Sequence, residues 1–136
     1  MNKEENILKL GKNHLNQWIK ENPDKRFDLS NMFFENQDFS GWRFSKSLMN
    51  NSKFINCDFS NADLSEISAL SVDVSGSKFI KAALYRANLS RSICITVHFE
   101  DAWLYRCVLT NAKIENCNFH LTKIQKVRWP LGFRLD

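Results

Sequence analysis

From Leu29 onward every fifth residue is apolar: Leu29, Phe34, Phe39, Phe44, Met49, Phe54, Phe59, Leu64, Ala69, Val74, Phe79, Leu84, Leu89, Cys94, Phe99, Leu104, Leu109, Ile114, Phe119, Ile124 and Trp129. With 43% of the chain hydrophobic, chance places such a run at on the order of one in ten million. A second set lies two residues earlier, from Ser47, Ser52, Cys57 and Ala62 through to Cys117, Thr122 and Val127; it is mostly small and carries no charge. A period of five fits neither the 3.6 of a helix nor the 2 of a strand, so no single regular element buries both sets. The chain must therefore turn once per repeat. If each pentapeptide is one side of a square coil, the large residue fills the interior, the small one fits near the corner, and successive coils hydrogen-bond at about 4.8 Å.

Four sides make a twenty-residue coil, so residues twenty apart should stack. Phe39, Phe59, Phe79, Phe99 and Phe119 form one such column, and Phe44, Leu64, Leu84, Leu104 and Ile124 another, accompanied by Trp42, Ala62, Ala82, Ala102 and Thr122. The pattern predicts an all-β solenoid, a quadrilateral β-helix of about five coils over 27–129. Within it, Asn61-Ala62-Asp63-Leu64-Ser65, Lys81-Ala82-Ala83-Leu84-Tyr85 and Arg86-Ala87-Asn88-Leu89-Ser90 resemble the A-[DN]-L-x-x signature of the pentapeptide-repeat family. The resemblance covers about three-quarters of the chain and implies a right-handed coil and a bacterial host.

An open β-helix exposes unpaired backbone and apolar side chains at each end, so both ends call for a cover. Residues 1–26 supply one as a capping α-helix over Glu4–Glu21 plus linker. Ile7, Leu8, Leu15, Trp18 and Ile19 share one face, and Asn22-Pro23-Asp24 ends it. Residues 130–136 form a short tail; with Trp129, its Leu131 and Phe133 either close the last coil or join two coils as a homodimer. Dimerisation through C-terminal coils is what the family resemblance implies.

Charge is divided unevenly. Residues 27–76 hold three basic and seven acidic residues, a net −4, and residues 77–136 hold ten and four, a net +6, within a chain of net +4. The acidic, uninterrupted-apolar-poor N-terminus predicts a cytoplasmic protein without a membrane span. Cys57, Cys94, Cys107 and Cys117 lack the close spacing of a metal site and read as buried small residues; His14, His98 and His120 have no predicted cluster of acids or cysteines around them. No triad, nucleophile elbow or phosphate loop is present, the five-residue register never slips to admit an inserted loop, and a coil filled by its own side chains leaves no interior pocket. The chain reads as a non-enzyme that needs no cofactor and no metal.

Function then falls to an outer face. Tyr85 and Tyr105 stack at the outward positions beside the Phe44–Ile124 column, with Trp103 flanking and Arg86 and Arg106 nearby, residue types that dominate interface energetics. The same tyrosines also serve as a cross-strand ladder. A protein-binding scaffold is the first reading. The second comes from resemblance: quinolone-resistance members of the family imitate B-form DNA and occupy the DNA-binding saddle of DNA gyrase. Such a mimic should be strongly acidic, and this chain is basic where it would dimerise. Nucleic-acid binding through the basic half ranks third, weakened by moderate charge density.

Overall fold

In a computed structural model that describes residues 2–135, the chain forms two short helices followed by a continuous stack of parallel rungs. Helix α1 (Lys3–Leu10) starts with a capping box in which the Asn2 side chain accepts from the Glu5 backbone N–H and the Glu5 carboxylate accepts from that of Asn2. Helix α2 (Lys12–Glu21) follows immediately. The single helix expected over 4–21 is thus two. Gly11 divides them at φ 106°, ψ 174°, a conformation open to glycine and strained for other residues. Leu8 and Leu15 are buried in the common core, and Trp18 meets Phe27 edge-on with ring centroids 5.1 Å apart.

Four ladders, one per side, hold the rungs in a register of twenty residues. One runs Asp28, Leu48, Ser68, Asn88, Val108, Arg128; a second Asp38, Asp58, Lys78, His98, Asn118; a third Arg43, Asp63, Ala83, Trp103, Lys123. The fourth contains the only spans long enough to count as strands among the described residues: β1 (Phe33–Glu35), β2 (Lys53–Ile55), β3 (Ile93–Ile95) and β4 (Lys113–Glu115), paired β1 to β2 and β3 to β4 and joined through Asp73. Backbone bonds between rungs are regular: the Phe59 N–H donates to the Lys78 carbonyl at 2.7 Å, and Lys78 donates to Cys57 at 3.0 Å. The result is a four-sided parallel β-helix.

Local chemistry makes each corner. The second residue after each large apolar one takes positive φ, from Asn31 at 60° to Lys126 at 60°, and Asn or Gly holds many of these places, including Asn31, Asn36, Gly41, Asn51, Asn56, Asn61 and Gly76. Asparagine visits this left-handed region more readily than most residues. Asp38, Asp58, Asp63, Asp73 and Asn88 each accept, through Oδ1, the N–H two residues on, at 2.8–3.1 Å, presetting the turn. At most corners a further bond joins residues three apart, as from Ala82 N–H to Phe79 carbonyl at 3.1 Å.

Both inward sets point where the periodicity places them. The rings of Phe39, Phe59, Phe79, Phe99 and Phe119 stack at 5.3, 5.2, 5.4 and 5.1 Å with interplanar angles of 25° or less. An interior void of about 10 Å³ beside Met49, Phe54 and Phe79 is entirely apolar and holds no polar group that could keep a water there. The small set has a second task. Ser77 Oγ donates to the Phe54 carbonyl at 2.7 Å, Thr122 Oγ1 to Phe99 at 2.7 Å and Cys117 Sγ to Cys94 at 3.0 Å, each reaching back twenty-three residues to the rung before. Burial of the large set is complete from Phe39 to Leu109 and then fades, with Ile114 and Phe119 half-buried and Ile124 exposed, because no further described rung covers them. Among the described residues no helix is long and apolar enough to cross a membrane.

Candidate protein-binding face

The ladder through Ala83, Trp103 and Lys123 alternates its side chains with the inward Leu84 and Leu104, so Trp103 and the tyrosines that follow those leucines stand outside the rod. Tyr85 and Trp103 lie on neighbouring rungs with nearly parallel rings, 6.0 Å apart at 18°, and Tyr85 tilts against Tyr105 at 6.3 Å and 58°. Trp103 remains 41% exposed and Tyr85 37%, an unusual outlay of aromatic surface for a rod whose core is already filled. The Lys123 Nζ sits 4.5 Å over the Trp103 ring on the following rung, and is placed there by the Asp101 carboxylate at 3.8 Å.

Around the corner the character becomes purely cationic. The Arg106 guanidinium lies 5.5 Å from the Tyr105 ring centre; by hydrogen bonding and by charge it holds the Tyr105 hydroxyl below the usual phenol range, with Lys126 and Arg86 adding to the effect. Arg86, Arg106, Lys126 and Arg128 line a groove of about 470 Å³ together with Val108. Three of these are corner residues, with φ of 55°, 59° and 60°.

Tyr85, Trp103, Tyr105 and Arg106 therefore form one contiguous cluster, and Arg86 joins it at the corner. Lys123 and Arg128 were not among the expected site residues, although Lys123 stands twenty residues after Trp103, and the same spacing that paired Tyr85 with Tyr105 points to it. The end residues separate. Trp129 and Phe133 stack at 4.9 Å and both meet Phe119, at 5.5 and 6.2 Å, whereas Leu131 points fully into solvent.

Burial pushes the Cys94 thiol up to about 12 and raises those of Cys57, Cys107 and Cys117 as well, so all four are protonated at neutral pH. His98 Nδ1 lies 3.2 Å from Glu100 and shares an end hollow of about 930 Å³ with His120 and Phe133; among the described residues no three metal-ligating side chains cluster.

A coiled stack of twenty-residue rungs with a self-filled interior defines a repeat solenoid. The repeats are those of the pentapeptide-repeat family, matched in eight copies over residues 38–68 and 57–93, and the chain is a pentapeptide-repeat protein. It is 26% identical over 94 residues to the quinolone resistance pentapeptide repeat protein QnrB96 of Scandinavium goeteborgense, an alignment covering 69% of this chain and 42% of that one; the chain thus spans under half the length of that relative. Among solved structures it is similar to the pentapeptide repeat protein Rfr23 of the cyanobacterium Cyanothece 51142, with 16% identity, a TM-score of 0.39 and coverage of 75% and 87% of the two chains. It is also similar to trypsin-treated QnrB1 R167E, a plasmid-mediated fluoroquinolone resistance protein, with 21% identity, a TM-score of 0.32 and coverage of 74% and 63%.

Proposed function

We propose that this chain is a non-catalytic protein-binding module, a rod of about five coils that presents Tyr85, Trp103, Tyr105, Arg86 and Arg106 to a protein partner. In this reading residues 1–26 are the lid on the first coil, residues 27–129 the rod, and Trp129 with Phe133 the cover of the last. The observation that carries the reading is the exposed Tyr85–Trp103 stack, aromatic area surplus to a filled core and edged by arginine. The basic half around it speaks against the DNA-imitating role found among quinolone-resistance members, since a DNA mimic must carry the opposite charge.

Truncating the stack tests the reading. Trp103→Ala with Tyr105→Ala should abolish partner capture from host lysate while leaving the circular dichroism spectrum and thermal midpoint of the rod near those of the parent. Capture that survives in the double variant refutes the site. The homodimer reading belongs to the C-terminal end, where a second copy would meet Leu131 beside Trp129 and Phe133 together with exposed Leu121 and Ile124, and sedimentation equilibrium separates it from a monomer.

A further inference from the structure

We propose that the groove of Arg86, Arg106, Lys126 and Arg128 receives a short acidic peptide run carried by the protein partner, an inference that rests on the protein-binding reading above. None of the four cations has a carboxylate within 4.0 Å among the described residues, whose ion pairs are His98–Glu100, Lys113–Glu115 and Lys123–Asp101. Arg86, Arg106 and Lys126 occupy successive rungs at one corner, so like charges repeat at the strand spacing of about 4.8 Å, an arrangement that is unfavourable until an anion fills it. Higher up, the same corner is compensated: Glu66 separates Lys46 from Arg86, and Arg26 spends its guanidinium on the carbonyls of Lys46 and Glu66.

The bounds of the groove set the size of its occupant. Glu66 repels an acidic chain one rung above Arg86, and Arg128 closes the other end. Three rungs span about 10 Å, which an extended peptide crosses in about four residues. Two or three carboxylates within such a run meet the four cations, with bidentate geometry available at each arginine.

A single-stranded nucleic acid fits less well. Sequence-tolerant binding of single strands needs free aromatic faces on which bases stack. Trp103 offers none, because Tyr85 covers one face from the preceding rung and the Lys123 ammonium the other from the following rung. Its edge remains for contact with a protein.

The test uses the full chain and a fluorescein-labelled peptide, Gly-Asp-Glu-Ser-Glu-Glu-Gly, read by anisotropy at low and at physiological salt. The parent should bind it with strong salt dependence, Arg106→Glu with Lys126→Glu should weaken binding by about tenfold or more, and Glu66→Lys, which lengthens the cationic column, should tighten it. The charge-reversed double variant should also acquire affinity for the matching Lys-containing peptide, a gain that misfolding cannot produce. No binding by the parent, or no change on charge reversal, overturns the groove. An eight-nucleotide oligothymidylate that binds more tightly than the peptide overturns the choice of occupant. If the peptide fails while capture still depends on Trp103 and Tyr105, the groove inference falls and the binding module stands; if capture is also independent of those residues, both fall.

Discussion

Ser47 and Ser77 occupy equivalent inward positions, both are buried, and they differ in one respect. Ser77 Oγ donates to the Phe54 carbonyl and accepts from the Cys57 N–H at 3.0 Å, whereas Ser47 Oγ has no partner, because the residue twenty-three before it precedes the first rung. Ser77→Ala should cost about 1–3 kcal/mol, since it strands a buried donor and a buried acceptor, and Ser47→Ala should be neutral or stabilising. Urea melts of the two variants check this, and equal losses would refute the assignment. The thiols give a pH signature of the same origin. Burial holds Cys94 at about 12 in the folded chain against an ordinary value of 9.0, and raises Cys57, Cys107 and Cys117 in the same sense. The unfolded chain therefore loses these protons first as pH rises. Their contribution is intact below pH 9 and declines from there towards about 12. Urea midpoints measured from about pH 8 to about pH 11 should fall, and Cys94→Ala should fall less steeply over that interval than the parent.

At the scale of elements, Gly11 decides the N-terminal architecture. A Cβ built there meets nothing within 4 Å, so the obstacle to any other residue is its φ of 106° alone. Gly11→Ala should destabilise the folded chain by about 1–3 kcal/mol, and protease should cut first between α1 and α2. An unchanged melting temperature would mean that the junction tolerates an ordinary backbone. This break escapes the sequence because apolar residues continue across it on one helical face, from Ile7 and Leu8 to Leu15 and Trp18, and a lone glycine within a periodic pattern is not by itself a stop. The sides of the coil were legible, since burial of Phe, Leu and Ala at fixed intervals leaves its mark on composition. Corners were legible only in part. The Asp/Asn-x-Ser steps at 38–40, 58–60, 63–65, 73–75 and 88–90, three of them followed directly by Gly41, Asn61 or Gly76, signal the turn, but Lys46, Arg86 and Arg106 take the same positive φ without that chemistry, held there by the rungs on either side.

For the whole molecule, stacking determines which distant residues become neighbours. A spacing of twenty brings Tyr85, Trp103 and Tyr105 together once the coil is known, and the same rule carries Lys123 onto Trp103. The groove was less accessible to that rule, because Arg128 belongs to the next side and reaches Lys126 around a corner, a relation that depends on side-chain course and not on register. The Trp129–Phe133 contact likewise depends on a turn through Pro130 and Gly132, where the Phe133 N–H donates to the Pro130 carbonyl at 3.0 Å and the repeat has ended. Between the ends, the backbone bonds that join rungs run only to the rung above and the rung below. The interval separating the helical end from the Trp129 end is therefore graduated: an in-frame duplication of twenty residues would lengthen it by one mark of about 4.8 Å and leave both termini as they were. The molecule is in this sense a ruler, and the distance between its two ends is written in the number of its repeats.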